Sequence, residues 1–220
     1  MPEVQKHGFS WEKDLIHNVY GATPAEMAAV KYTSKMDLPG ALNHKDGVDV
    51  SIKATGTPNS VCMADCLRVY DEVSSGKPLH LTVVTYKQDD EANTKTLTAV
   101  TEVDLTNSVA QLFGTITRAQ IEELDRAVKA IPQKRAPTPE ERVTIYGIRD
   151  RLQPLSGAIH LDIKCNSQQS RLQCSFNRFQ TFLKDHPGRI IAQSTTGDFR
   201  GGKIIEIISS ARRVFKIKGV

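Results

Sequence analysis

The sequence predicts an α+β or small α/β fold: a mixed central sheet flanked by helices, with a β-rich, basic C-terminal portion. Three observations lead there. The 220 residues are 39% hydrophobic and 25% charged, which supplies apolar surface for a sizeable core and argues against wholesale disorder. Helix-period segments and alternating β-branched segments are interleaved, without a long strand–helix–strand rhythm. The charge is uneven: residues 151–220 hold twelve Lys/Arg against four Asp/Glu, and residues 1–150 hold seventeen against twenty-one.

Ser10 is placed to cap a short helix through WEKDLIHNVY, closed by Gly21. Thr23-Pro24-Ala25-Glu26 reads as a capping box with proline at the first helical position, and predicts a helix to about Lys35. A loop with Asp37-Leu38-Pro39-Gly40 and a Lys45-Asp46-Gly47 turn lead into the alternating strand Val48–Lys53. On that strand Val48, Val50 and Ile52 face one way, and Asp49, Ser51 and Lys53 the other. The helical spacing of Met63, Cys66, Leu67 and Tyr70 predicts a helix from Val61 to about Val73.

Segments 79–87 and 95–105 pair as a hairpin around QDDEANT, and Thr117 with Gln120 caps a helix over 118–130. Residues 132–137, PQKRAP, are the best linker, giving expected portions 1–131 (a catalytic core) and 138–220 (a basic recognition portion). Thr138-Pro139-Glu140-Glu141 opens another capped helix to about Gln153. Strands follow at 157–165, 171–176, 189–194 and 203–209, with a helix near 177–186.

Several classes of function are disfavoured. No apolar run approaches the roughly 18 residues of a membrane span, and MPEVQKHGFSWEKD has no signal-like apolar stretch, so a soluble cytoplasmic protein is expected. The spacing of Cys62, Cys66, Cys165 and Cys174 suits buried thiols better than a disulfide framework or a zinc site. The six histidines form no HExxH or CxxH pattern, and neither a phosphate-binding glycine loop nor a Gly-x-Ser-x-Gly elbow is present. Trp11 reads as a core anchor. The basic C-terminal third is the footprint of a polyanion-binding surface.

Three groupings of residues carry chemistry. In the first, Asp37 precedes Ser51 by fourteen residues, and Asp49, Ser51 and Lys53 share a strand face. Metal-dependent phosphodiester hydrolysis needs carboxylates converging on a divalent cation, with a nearby ammonium to orient water and offset developing negative charge. The stretch DLPGALNHKDGVDVSIKATGT, residues 37–57, resembles the PD-(D/E)XK core of type II restriction endonucleases. That resemblance implies an αβββαβ restriction-endonuclease-like core, Mg²⁺-dependent cleavage of double-stranded DNA, and a homodimer on a short palindrome. By position Asp37 matches the first acid, Ser51 the second, Lys53 the lysine, and Glu26 the acid that some members carry on the preceding helix. Serine departs from the pattern because it brings no negative charge; either Asp49 or Glu26 then supplies the second carboxylate.

The second grouping is Asp162-Ile163-Lys164 on a strand, with Asp150 twelve residues earlier, an alternative metal site. The third is the loop Asn166-Ser167-Gln168-Gln169-Ser170-Arg171. Its Asn, Gln and Arg side chains can read adenine and guanine edges in the major groove. Arg171, Arg178 and Lys184 are placed to meet phosphates, and the basic loop 198–203, with Arg200 and Lys203, to track them. The alternative to a nuclease is a non-catalytic nucleic-acid-binding protein using the same basic third. An interaction protein whose charge only maintains solubility is the third possibility.

Overall fold

The chain divides into two units in the computed structural model, which describes residues 10–30, 36–133, 135–165 and 169–209. The first unit takes the stretches up to Thr57, His80–Asp104 and from Gly188; the second takes Pro58–Leu79 and Leu105–Pro187. Residues 1–131 and 138–220 each contribute to both units, and the residues flanking 132–137 all lie in the second. The reason is long-range pairing: strands distant in the chain complete each other's sheets, and this outweighs the local linker signal of PQKRAP.

The first unit is built on a five-stranded sheet. Its strands are β1 (Asp49–Thr55), β3 (Leu79–Asp89), β4 (Thr94–Asp104), β7 (Ile190–Ser194) and β10 (Ile207–Ser209). The order is β1-β3-β4-β10, and β7 also pairs with β4. The β3–β4 hairpin is antiparallel from His80↔Asp104 to Asp89↔Thr94, as its alternation predicts. Helix α1, residues 10–19, widens at Leu15–Val19 into a π-helical turn in which the Tyr20 N–H reaches back to the Leu15 carbonyl at 3.0 Å. It buries Trp11, Leu15, Ile16 and Tyr20 against Val50, Val84 and Val100. Trp11 is therefore a core residue, stacked on Tyr86 at 5.3 Å between ring centroids.

Helix α2 (Pro24–Ala28) starts with the predicted capping box but stops at Ala28 rather than near Lys35. Residues 31–35 lie outside the described residues. No side chain of α2 is fully buried, and only Met27 packs partly on the core, so little beyond the cap supports a longer helix. The expected strand at 203–209 is split between β9 (Gly202–Lys203), which pairs with β8 (Asp198–Phe199), and β10.

The second unit carries a three-stranded antiparallel sheet, order β2-β6-β5, from Val61–Asp65, Ser170–Phe176 and Ile159–Cys165. Helices α3 (Cys66–Ser74), α4 (Val109–Phe113), α5 (Arg118–Lys129), α6 (Pro139–Leu152) and α7 (Phe179–Asp185) belong to the same unit. The capping boxes Thr117/Gln120 and Thr138/Glu141 form as predicted. The expected helix over 61–73 is corrected: Val61–Asp65 is a strand, and the helix begins at Cys66. A bulge between Cys62 and Ala64, with Ala64 at φ 96°, turns the chain. The Asp65 side chain then accepts from the Arg68 N–H at 3.0 Å as the N-cap. Among the described residues, no helix is long and apolar enough to cross a membrane.

Candidate functional site

A single antiparallel bridge positions the first grouping. Leu38 and Val50 exchange both backbone hydrogen bonds, at 3.0 and 2.9 Å, which sets Asp37 beside residues 51–53. One carboxylate oxygen, Asp37 Oδ2, accepts from the Lys53 ammonium at 2.7 Å, the Ile52 N–H at 2.6 Å and the Ser51 hydroxyl at 3.2 Å. Val50 and Ile52 are buried on the other side of β1, so the alternation read from the sequence holds. The Lys53 ammonium gives a second hydrogen bond to the Ile52 carbonyl at 3.0 Å, which leaves one of its three N–H donors without a partner among the described residues. Its side chain is 20% exposed and that of Asp37 28% exposed, so the pair is sheltered yet reachable.

The two remaining acids of the sequence reading lead elsewhere. Asp49 Oδ1 accepts the Gly40 N–H at 2.6 Å, closing the 40–48 loop. That loop is tight: a Cβ on Gly40 would sit 2.5 Å from the Gly47 carbonyl oxygen. Glu26 is engaged by its own capping box, through the Thr23 N–H at 2.7 Å and hydroxyl at 2.8 Å, and by His44 at 3.0 Å. The backbone N–H of Thr23, then its hydroxyl, hold the Glu26 carboxyl below its usual range.

The acid whose charge meets Asp37 and Lys53 is Glu12 on helix α1, which the sequence reading passed over. Burial pushes its carboxyl up to about 7, and the nearby Asp37 charge adds to the rise, with Lys53 and Lys13 only partly opposing it. Glu12 is one residue from the buried Trp11 on the same helix. No spacing rule links residue 12 to residue 37; only the docking of α1 does so.

A second polar cluster lies in the same unit. Asp46, His80 and Glu102 bring one potential ligand atom each within 4.8 Å of one another, and this group could hold a metal ion. In this structure its cation is Arg200. The guanidinium holds both Glu102 oxygens at 2.8 and 2.9 Å and Asp46 Oδ2 at 2.8 Å. His80 Nδ1 lies 2.9 Å from Glu102 Oε1. Glu102 is fully buried, and Tyr20 beside it bonds Thr82 at 2.6 Å. Burial first, then the Glu102 charge, drive the Tyr20 hydroxyl pKa upward. Burial works against ionisation of Asp46, but the Arg200 guanidinium and the Val48 N–H outweigh it and lower its pKa.

Arg200, expected to track phosphates, is thus an internal counter-ion with a side chain only 14% exposed. Lys203 on the same hairpin is 88% exposed, with Asp198 at 3.9 Å. Arg171 and Arg178 are exposed, while Asn166 and Gln168 lie outside the described residues and Gln169 immediately follows them. The acids of the second grouping have other partners: Asp150 pairs with Arg149 at 2.6 Å on α6, and Asp162 binds His160 at 3.0 Å and Ser175 at 2.6 Å. All four cysteines are free; Cys66 and Cys174 are buried as expected, Cys165 is half-buried, and Cys62 is exposed.

No protein-family model, no curated protein and no solved structure matches the chain.

Proposed function

We propose that the chain is a Mg²⁺-dependent, sequence-specific endonuclease of duplex DNA, with a restriction-endonuclease-like core that includes α1, the Leu38–Val50 bridge and β1. The observation that carries this reading is the convergence of Ser51 and Lys53 on the Asp37 carboxylate at one sheltered point, with the Glu12 carboxyl near enough to feel the charges of Asp37 and Lys53. Burial and the nearby Asp37 charge raise the Glu12 carboxyl to about 7, a cost that a cation bound beside the two acids would offset. The donors are hard oxygens, which suits Mg²⁺ better than a soft metal. Asp37 and Glu12 would hold the ion, with the Ser51 hydroxyl alongside.

When bound, Mg²⁺ supplies Lewis-acid charge at a phosphoryl oxygen and lowers the pKa of a bound water. Asp37 holds Lys53 in place through the 2.7 Å hydrogen bond. The remaining Lys53 N–H then points to the attacking water or a phosphate oxygen, where negative charge grows as the new P–O bond forms and the bond to O3′ breaks. Ser51 replaces the usual second carboxylate with a neutral oxygen, and Glu12 makes up the lost charge from α1. Asp49 keeps the loop closed.

The test is Lys53→Ala. Loss of Mg²⁺-dependent cleavage with DNA binding intact supports this reading, and undiminished cutting by the variant overturns it. Salt-sensitive DNA binding by the native protein, without cleavage on any unmethylated substrate, would instead favour a non-catalytic binding protein.

A further inference from the structure

We propose that the part of the β5–β6 ribbon that runs beyond β2 in the second unit is the element that grips duplex DNA, through the cross-strand pair Lys164 and Arg171; the choice of DNA as partner rests on the nuclease reading. Strand β2 accompanies β6 only as far as Asp65↔Gln173. Beyond that point β5 and β6 run on as a two-stranded antiparallel ribbon for three further pairs, Ile163↔Leu172, Lys164↔Arg171 and Cys165↔Ser170. Leu172 is fully buried and ties the inner face of the ribbon to the core. Lys164 and Arg171 stand directly opposite each other on the outer face, both exposed.

Like charges in direct cross-strand register repel. A structural role would call for an acid between them, and none is placed there among the described residues. The neighbouring Asp162 is engaged by His160 at 3.0 Å and Ser175 at 2.6 Å. Glu141, at the start of α6, is held by Arg135 through two contacts of 2.6 Å. Two exposed cations in cross-strand register, with no acid paired to either among the described residues, match an external polyanion. With the inner face held to the core, the exposed outer face of the ribbon is the one that can lie along the duplex, its two cations against the phosphates. The pair would then position the ribbon on the DNA backbone.

The experiment measures fluorescence anisotropy of a labelled DNA duplex over a NaCl series, in EDTA so that no cleavage occurs, for the native protein and for the double variant Lys164→Thr/Arg171→Thr. Two lost phosphate contacts make the slope of log K against log salt shallower by about 1.8 and weaken binding roughly 10- to 60-fold near 0.1 M salt. Relief of the repulsion leaves thermal stability equal or higher. Unchanged affinity and slope in a folded double variant overturn the proposal, as does native binding that prefers single-stranded RNA to the duplex. Because binding is read without metal, failure to cleave in Mg²⁺ counts against the nuclease reading alone and leaves this result standing.

Discussion

The Lys53 ammonium lies 2.7 Å from the Asp37 carboxylate, across sixteen residues of chain and a single backbone bridge between Leu38 and Val50. Everything proposed for the first unit depends on that pair. It is held by strand geometry on one side and by the 40–48 loop on the other, so its integrity can be probed from both.

Asp37 and Asp49 separate by role. Asp37→Asn loses the charge that holds Lys53 and any bound cation, and is expected to lower cleavage by about three orders of magnitude. Asp49→Asn keeps an oxygen able to accept the Gly40 N–H and retains most of the activity. Parallel single-turnover assays check this; equal losses from both would return Asp49 to the metal site.

Gly40→Ala tests the loop without touching a charged group. Its Cβ would press on the Gly47 carbonyl oxygen at 2.5 Å. Destabilisation of about 1–3 kcal/mol is expected, with cleavage falling further than DNA binding. Denaturant unfolding and the cleavage assay read the two effects separately.

Glu12 gives a pH dependence. Its carboxyl is raised from the ordinary 4.5 to about 7 in the folded state, so the folded protein binds the extra proton between those values. In EDTA, stability is therefore full below about pH 4.5 and falls as pH rises toward 7. The loss is on the order of 2 kcal/mol after allowance for solvent screening. Glu12→Gln flattens this part of the profile and is the more stable protein at pH 7.5 without metal. Thermal melts at acid and neutral pH decide it; a profile unchanged by the substitution contradicts the placement of Glu12.

Removal of Arg200 leaves the buried Glu102 without its bidentate partner. Arg200→Ala is expected to cost about 3–5 kcal/mol in the metal-free protein. It also opens the cation position among Asp46, His80 and Glu102, so Zn²⁺ should raise the melting temperature of the variant more than that of the native protein. Equal metal effects on both would show that Arg200 does not stand in that position.

The parts of this architecture written locally were legible in the chain. Thr117 with Gln120 and Thr138 with Glu141 carry their capping boxes within four residues, and the 79–105 hairpin shows its alternation. Asp37, Ser51 and Lys53 were legible because strand pleating places residues 51 and 53 on one face. The parts that depend on distant partners were not. Val61–Asp65 shares its apolar spacing with the helix that follows, and only pairing with β6, more than a hundred residues on, makes it a strand. Glu12 and Arg200 carry no motif; each takes its role from where a distant element docks, α1 for one and the 198–203 hairpin for the other. Basic composition placed Arg200 with the phosphate-binding residues, whereas burial beside Glu102 turned it inward.

The most direct test of the central claim is incubation of the purified protein with unmethylated phage and plasmid DNA of known sequence, in Mg²⁺ and in EDTA. The account predicts discrete fragments in Mg²⁺ and none in EDTA, with ends that report one recognition sequence. Intact DNA under both conditions, from a folded protein and across substrates covering all short palindromes, would contradict it.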